Sequence, residues 1–290
     1  MISDITLGQF FPGESFIHKL DPRTKILLTV LFIVAVFLVN TPIGFFTVLV
    51  SVILLIASSK ISIKVILKGI KPIIYVLIFT ALINVFMTKA ESQPLVDFYF
   101  IKIYKEGIIR AVFMGLRVIL LIIGTSVLLT YTTSPISLTD GIESLLSPLK
   151  KIKVPVHIFA MMMTIALRFI PTLIEETEKI MNAQKSRGAD FSSGSLVKRA
   201  KALIPIIIPL FVSSFKRADE LAVAMECRCY RGDKNRTKLI KLEYKRRDFV
   251  WLGIGLVFLA SIIAIIIAPG YLSGIMPEKI YNVIFYKIKA

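Results

Sequence analysis

The chain has 290 residues, of which 56% are hydrophobic, and it carries a formal net charge of +17. A single water-soluble domain of this length is not so apolar, so the composition indicates a protein that crosses the membrane several times. A nucleic-acid-binding protein is excluded, because the Lys and Arg residues cluster between apolar runs and do not cover a soluble fold. Basic residues retained on the cytoplasmic side of membrane helices explain most of the charge.

The first apolar run predicts a helical hairpin in the membrane. No charged residue occurs from Ile26 to Ser59, and the Asn40-Thr41-Pro42 break divides the run into two spans, since one crossing takes about 20 residues. Basic residues flank the run on both sides: Lys19, Arg23 and Lys25 precede it, and Lys60, Lys64, Lys68 and Lys71 follow it. Both ends of the hairpin, and with them the N-terminus, are therefore predicted to be cytoplasmic.

Three further apolar runs predict three more spans. They extend roughly from Pro72 to Thr88, from Val118 to Thr139 and from Phe249 to Pro277, and none of them contains an ionisable residue. The mixed-charge stretch around Glu91, Asp97 and Glu106 is placed outside the cell, and Lys150, Lys151 and Lys153 return the chain to the cytoplasm. The sequence thus predicts five spans.

The region between the fourth and the last span has a different character. Its apolar runs, 154–167 and 202–215, have about 14 residues each, which is too short for a crossing, so we expect them to be partly buried and not to span the membrane. Pro171, Pro205 and Pro209 are expected to bend or end the helices there. From Lys185 to Arg247 there are sixteen Lys and Arg against six Asp and Glu, which is +10 of the total +17.

These observations predict an all-α fold, a multi-pass membrane helical bundle with long cytoplasmic coupling helices. Residues 1–150 are expected to form about four N-terminal transmembrane helices. Residues 151–247 are expected to form a cytoplasmic coupling domain with two long helices that end in arginine-containing boxes. Residues 248–290 are expected to form the last transmembrane helix and a tail.

The two boxes are Lys185-Ser186-Arg187-Gly188-Ala189-Asp190 and Met225-Glu226-Cys227-Arg228-Cys229-Tyr230-Arg231-Gly232-Asp233. Each closes a helical pattern with Gly, which readily adopts the left-handed conformation after a helix, so the preceding arginine is predicted to lie near the helix end. A single arginine there can be explained by the helix dipole. Two similar boxes 41 residues apart are better explained by docking, since a bidentate guanidinium suits an acidic groove on another protein.

The helix that leads to the second box is predicted to have two faces. At 100° per residue, one apolar stripe contains Phe211, Phe215, Ala218, Ala222, Met225 and Cys229. The opposite side contains Arg217, Glu220, Arg228 and Arg231. We expect the apolar stripe to pack against a neighbouring helix of the same chain and the polar side to be available to a partner.

No catalytic, metal or cofactor site is predicted. His18 and His157 are the only histidines and are far apart, and Cys227-x-Cys229 on a helix would point its thiols to opposite sides. An integral-membrane enzyme acting on lipid-linked substrates and a self-contained secondary transporter remain as alternatives. The former needs clustered acids for a metal, and the latter ionisable groups within its spans. No Walker motif occurs, so any ATP hydrolysis would come from other chains.

Three parts of the sequence carry a family resemblance: Pro12-Gly13-Glu14-Ser15 with His18-Lys19-Leu20-Asp21-Pro22-Arg23-Thr24-Lys25, then Ser186-Arg187-Gly188, and Met225-Glu226-Cys227-Arg228 with its Tyr-Arg-Gly tail. Over nearly its whole length the chain resembles the CbiQ-like family of transmembrane coupling subunits of energy-coupling factor (ECF) vitamin transporters. That family usually has Ala where this chain has Ser186 and Cys227.

The resemblance implies a transporter subunit that has no catalytic activity and couples two cytoplasmic ATP-binding-cassette ATPases to a small membrane protein that binds the substrate. The docking residues implied for the ATPases are Arg187, Gly188, Glu226, Arg228, Arg231 and Gly232. The apolar surface implied for the substrate-binding subunit surrounds Met161, Met162, Met163 and Phe211, although methionines fill ordinary cores equally well.

Overall fold

The structure is a computed structural model that describes residues 10–88, 96–98, 101–191, 195–230, 232 and 242–272. The prediction of an all-α multi-pass membrane protein is confirmed. The described residues form two compact units. The membrane bundle, as we call the first unit, contains the described residues up to Gly141 and those from Leu242 onward. The second unit, the long-helix unit, contains the described residues between Ile142 and Lys241.

The predicted hairpin forms as two helices, α1 (Pro22–Leu38) and α2 (Pro42–Ser59). Asp21 caps α1, because its Oδ1 accepts a hydrogen bond from the Arg23 amide at 2.9 Å, and Thr41 caps α2 in the same way through Gly44. A proline occupies the first position of both helices, where its missing N–H costs nothing. The break at Asn40-Thr41-Pro42 is therefore confirmed, while α1 begins earlier than Ile26 and includes Lys25.

The third predicted span is also present. The short helix α3 (Ile63–Ile70) precedes it, and the span itself consists of one 3₁₀ turn (Lys71–Ile73) and α4 (Ile74–Met87). A short antiparallel hairpin follows, in which β1 (Val96–Phe98) pairs with β2 (Ile101–Ile103) so that Val96 lies opposite Ile103. These are the only β-strands among the described residues.

The fourth span begins and ends earlier in the chain than predicted. Helix α5 covers Lys105–Thr125 and continues as a π-helical turn over Ser126–Thr130, whereas the prediction extended from Val118 to Thr139. The arginines of α5 explain the error, because we took them as the boundary of the apolar run. In the structure Arg117 lies within the helix and donates hydrogen bonds to the carbonyl of Val39 and, at 2.9 Å, to Oδ1 of Asn40.

The remaining elements are α6 (Pro135–Leu145), a 3₁₀ helix (Ser147–Ile152), α7 (Val156–Ser186), α8 (Leu196–Cys227) and α9 (Arg246–Leu272). The two long helices have 31 and 32 residues and pass through Pro171, Pro205 and Pro209 without ending. Of the two effects expected of these prolines, bending or ending a helix, the second does not occur. The part of the last predicted span beyond Leu272 lies outside the described residues.

Five helical segments of the described chain are long and apolar enough to cross a membrane: Pro42–Ser59, Ile63–Met87, Lys105–Thr130, Val156–Ser186 and Arg246–Ala268. This set differs from the five predicted spans in one member, since α7 replaces α1, which has only 17 residues. The run 154–167 was judged too short because Arg168 and Pro171 were read as its end. In the structure it is the first half of α7.

The membrane bundle has one main hydrophobic core. Phe32, Val36, Phe45, Val48, Leu120 and Ile262 are buried there, and they come from α1, α2, α5 and α9. A side chain at Gly124 would collide with the ring of Phe32, so α5 approaches α1 closely at that glycine. The first and last helices of the membrane bundle are thus held together by side chains distant in sequence.

A buried polar cluster, formed by Asp21, Lys25 and Asp248, joins the starts of α1 and α9. Asp248, which is 1% exposed, accepts hydrogen bonds from the amide of Asp21 at 2.9 Å and from the amide of Lys245 at 2.8 Å. Lys25, which is 2% exposed, donates to the carbonyls of Thr132 at 2.7 Å and His18 at 3.2 Å. The sequence element Asp21-Pro22-Arg23-Thr24-Lys25 therefore positions helices.

The statement that the spans contain no ionisable residue also needs correction. Lys25 lies in α1, and Glu106, Arg110 and Arg117 lie in α5. Lys25 and Arg117 both direct their charged groups to backbone carbonyls of neighbouring segments. Buried cations held in this way act as structural ties between helices.

Candidate functional site

Helix α7 ends in a Schellman motif at the first box. Arg187 is the last residue before the turn, and Gly188 follows with φ +86°. The amide of Gly188 donates to the carbonyl of Lys185 at 2.9 Å, and the amide of Ala189 donates to the carbonyl of Gln184 at 3.0 Å. These two bonds define the motif and satisfy carbonyls that the end of the helix leaves free. The prediction that Gly188 takes the left-handed conformation at the end of this helix is confirmed.

Helix α8 ends in the same motif, but a different residue makes the turn. Arg228 occupies the position of Arg187, and Cys229 takes the left-handed conformation with φ +57°. The amide of Cys229 donates to the carbonyl of Glu226 at 2.8 Å, and that of Tyr230 to the carbonyl of Met225 at 3.0 Å. The prediction that Gly232 closes this helix is wrong. Gly232 has φ +78° and lies in a later turn.

The two signature arginines are presented in the same way. Arg187 and Arg228 are both exposed, as are Gly188 and Glu226. Among the described residues neither guanidinium has a hydrogen-bond or ion-pair partner. Arg231 lies outside the described residues. Each helix end therefore offers a planar cation with all its donors free, which is the group best suited to bidentate binding of a carboxylate.

The two long helices contact each other, and Glu176 of α7 and Arg217 of α8 form an ion pair across the contact, with 2.9 Å between Oε2 and Nη2. Glu176 precedes Arg187 by eleven residues, and Arg217 precedes Arg228 by eleven residues. At 1.5 Å per residue, each helix end lies about 16 Å beyond the ion pair. The two arms are thus equal in length.

The apolar stripe of α8 does not pack as expected. Phe211 and Phe215 are 62% and 58% exposed, and their rings form an edge-to-face pair with 4.8 Å between centroids. Ile206, which is 4% exposed, and Arg217 lie on the face of α8 that packs within the long-helix unit. The expectation is therefore wrong for Phe211, Phe215 and Arg217, whereas Glu220 and Arg228 of the polar side are exposed as predicted. The contact between α7 and α8 includes the ion pair and small side chains such as Ser213, which donates a hydrogen bond to Glu176.

The methionines of α7 form part of a similar exposed surface. Met162 and Met163 are 48% and 53% exposed, whereas Met161 is partly buried. Together with Phe211 they were predicted to contact a membrane partner, and the described residues leave about half of the surface of Met162, Met163 and Phe211 uncovered. Sequence periodicity alone missed this exposure, because it detects an apolar face without indicating what covers it.

The sequence predicts no chemical role for the two histidines, and in the structure each lies within hydrogen-bond distance of another residue of the chain. The imidazole of His157 and the carboxylate of Glu143 are 3.0 Å apart, and the imidazole of His18 lies 2.9 Å from the carbonyl of Phe11. No group of three or more His, Cys, Asp or Glu residues within the described chain could hold a metal ion. Both cysteines are free and exposed.

Comparison with known proteins agrees with these features. The model of the CbiQ family, described as a cobalt transport protein, matches residues 13–239. The chain is 57% identical over 250 residues to the energy-coupling factor transporter transmembrane protein EcfT of Clostridium kluyveri, covering 86% of this chain and 92% of that protein. It is 54% identical to EcfT of Ruminiclostridium cellulolyticum, covering 91% and 97%, and 47% identical to EcfT of Bacillus subtilis, covering 86% and 93%.

Proposed function

The chain belongs to the CbiQ family and is the transmembrane component of an energy-coupling factor transporter, and from this premise we propose that α7 and α8 dock one ATPase subunit at each arginine-capped end. The ATPases would hydrolyse ATP, and this chain would transmit their movement to a small membrane subunit that binds the substrate. Residues 151–247 would then form the coupling domain, between transmembrane segments 1–150 and 248–290.

The observation that carries this proposal is the equivalence of the two helix ends. Both have an arginine before a left-handed residue, both close with the same pair of backbone hydrogen bonds, and both extend about 16 Å beyond the Glu176–Arg217 ion pair. Two equivalent ends suit two partners with similar grooves. A single partner with one binding site would give no reason for the repetition.

The charge of the region supports partners with acidic surfaces. Lys185 to Arg247 carries +10 in total, and Arg187 and Arg228 are exposed without internal partners among the described residues. An arginine that enters a groove lined by carboxylates gains charge-assisted hydrogen bonds that it lacks in the isolated chain. Gly188 and Cys229 close the turns that present these arginines, and Glu226, Arg231 and Gly232 would assist the docking.

The exposed apolar surface supports a second type of partner. Met162, Met163 and Phe211 are each about half exposed or more, and large exposed apolar patches mark contacts with proteins or membranes. Flexible methionine side chains can repack against different surfaces, which suits a scaffold that accepts more than one substrate-binding subunit. We propose that this surface, with Met161 at its edge, contacts that subunit.

Charge reversal tests the docking proposal. Arg187→Glu combined with Arg228→Glu is expected to abolish co-purification of the ATPases in detergent while the chain still inserts into the membrane. Each single substitution should cause a similar partial loss, because the two ends are equivalent. The matched control is Arg199→Glu with Lys216→Glu, which makes the same charge change at exposed positions of α8 away from its end. Stoichiometric ATPase binding by the double variant would refute the proposal.

We also propose that the N-terminus and the second box are cytoplasmic, and cysteine labelling tests the placement of the box. Cys227 and Cys229 are the only cysteines of the chain, and both are exposed. In intact cells a membrane-permeant maleimide should label them and an impermeant maleimide should not. Labelling by the impermeant reagent would overturn this topology without affecting the docking proposal.

A further inference from the structure

Helix α3 presents three different surfaces. Ile66 is buried and packs with Val127 and Tyr131 in a small second core of the membrane bundle. Ile63 and Leu67, one helical turn apart, are 65% and 60% exposed. Lys64 and Lys68, also one turn apart, are exposed as well, and Lys60 and Lys71 extend this basic stripe at both ends. An exposed apolar stripe beside a basic stripe is typical of a helix that lies at the bilayer surface.

The lysines of this basic stripe are free to bind a ligand. In the part of the chain that the structure describes, Lys60, Lys64, Lys68 and Lys71 form no side-chain hydrogen bond or ion pair. Several lysines held close together at a membrane surface attract anionic lipid headgroups. The basic stripe alone does not distinguish a bound lipid from general attraction to the membrane, but a neighbouring cavity does.

An apolar cleft of about 390 Å³ lies between α1, α2 and α9. Leu28, Phe32, Leu54, Ile254 and Phe258 are among its lining residues, and Ser51 and Ser58 are its polar exceptions. Leu54 and Ile254 are 61% and 52% exposed, so the cleft opens on the surface of the membrane bundle. Its shape and apolar lining suit a hydrocarbon chain.

The cleft adjoins the basic stripe. Leu55 lines the cleft and also packs against the small core that contains Ile66 of α3. Ser58 lines the cleft and is followed two residues later by Lys60. On the opposite wall Trp251 lies one turn after Arg247, and tryptophan is enriched at the level of lipid headgroups. Lys60 and Arg247 thus lie within about one helical turn, along the chain, of residues that line the cleft, whereas the lining itself is apolar.

We propose that the cleft binds one anionic phospholipid, with an acyl chain between α1, α2 and α9 and the headgroup phosphate held by Lys60, Lys64 and Lys68. A zwitterionic phospholipid would fill the apolar part but would gain little from the lysines. A helix of another membrane protein would require neither the lysines nor a narrow cleft. The combination of both features favours a lipid with a net negative charge.

Trp251 makes the proposal directly testable, because it is the only tryptophan of the chain and it lines the cleft. The purified full-length chain is reconstituted in phosphatidylcholine vesicles that contain brominated phosphatidylglycerol or, in a parallel sample, brominated phosphatidylcholine at the same mole fraction. Bromine quenches tryptophan fluorescence on contact. We expect an apparent preference for phosphatidylglycerol of about fivefold or more, in line with the attraction that a few lysines exert on anionic lipids.

Two variants separate headgroup binding from acyl-chain binding. Lys60→Gln, Lys64→Gln and Lys68→Gln together should remove the preference but leave quenching by phosphatidylcholine unchanged. Lys198→Gln, Lys201→Gln and Lys216→Gln, at exposed positions of α8, make the same change in charge and should retain the preference. Ser58→Leu fills the cleft and should reduce quenching by both lipids.

Three results would overturn the proposal. Equal quenching by the two brominated lipids would identify an ordinary boundary lipid with no headgroup selection. If the preference for phosphatidylglycerol survives the triple lysine substitution, these three lysines do not hold the headgroup. Absence of quenching by either lipid would show that acyl chains do not enter the cleft, as expected if another protein occupies it.

Discussion

The membrane bundle and the long-helix unit differ in how many of their apolar side chains are buried. In the membrane bundle, side chains of α1, α2, α5 and α9 meet in a common core around Phe32 and Ile262. Along α7 and α8, the described side chains that are buried are only Val156, Ala160 and Ile206. Two helices with so little internal packing do not form an independent core. The bundle buries its apolar surface within its own chain, whereas most apolar side chains of α7 and α8 are not buried by the described residues.

Their polar groups show the same contrast. In the membrane bundle Asp248, Lys25 and Arg117 each form a hydrogen bond with a backbone group of a distant segment. In the long-helix unit the described arginines at the two ends, Arg187 and Arg228, lie exposed with no partner among the described residues. Charged groups that are satisfied internally serve the fold, and those left free at prominent ends are available for binding.

The largest expected effect of a single substitution is therefore in the membrane bundle. Asp248→Ala leaves the buried amide of Asp21 and the partly buried amide of Lys245 without acceptors, and a buried group left unsatisfied costs about 1 to 3 kcal/mol. The free energy of unfolding should fall by about 2 to 5 kcal/mol, which thermal unfolding of the detergent-solubilised chain will detect. Asp248→Asn keeps one carbonyl acceptor and should lose less.

A carboxylate of the long-helix unit provides the control for that experiment. Asp219 is exposed on α8, so Asp219→Ala should change the free energy of unfolding by no more than about 0.5 kcal/mol. If Asp248→Ala melts at the same temperature as the unaltered chain, the polar cluster does not stabilise the membrane bundle and the contrast between the two units is lost.

The sequence predicted the membrane helices well where charges mark their ends and poorly where charges lie inside them. The break at Thr41 and Pro42 is local, since a cap and a proline define it, and it was predicted correctly. The start of α5 was missed, because Arg117 is satisfied by carbonyls at the end of α1. A contact between residues that far apart in the chain leaves no local signal in the sequence.

The same distinction applies to the candidate site. Gly188 was identified because glycine is the usual residue for a left-handed helix end. Cys229 was not predicted to end α8, because a cysteine gives no indication of a left-handed conformation such as φ +57°. Gly232, three residues later, was predicted instead. The exposure of Phe211 could not be predicted either. Which face of α8 contacts α7 depends on which side chains pair across the contact, and here Glu176 pairs with Arg217.

The two helix ends should respond in opposite directions to substitution at the left-handed position. Gly188→Ala introduces a side chain at φ +86° and should destabilise the end of α7 by about 1 kcal/mol. Cys229→Gly removes strain at φ +57° and should stabilise the end of α8 by about 0.5 to 1 kcal/mol. Hydrogen exchange at the amides of Ala189 and Tyr230, which donate the longer bonds of the two motifs, reports these changes separately.

Equal and opposite effects would establish that the two ends share one backbone design and differ only in the residue that closes it. If Gly188→Ala leaves exchange at Ala189 unchanged, the first end does not depend on its left-handed residue. The control is Gly232→Ala, which lies beyond the second motif and should not alter exchange at Tyr230.

The smallest expected effect is that of the ion pair between the two long helices. Glu176 and Arg217 have side chains that are 21% and 37% exposed, and pairs of this kind contribute at most about 1 kcal/mol. A double-mutant cycle with Glu176→Ala and Arg217→Ala, followed by thermal unfolding, should therefore give a coupling energy below about 1 kcal/mol. A coupling of 2 kcal/mol or more, on the order of a buried pair, would mean that the long-helix unit holds itself together as the membrane bundle does. A small coupling would leave bound partners as the main source of order in α7 and α8, because the ion pair and three buried positions are too little to fix two helices of more than thirty residues.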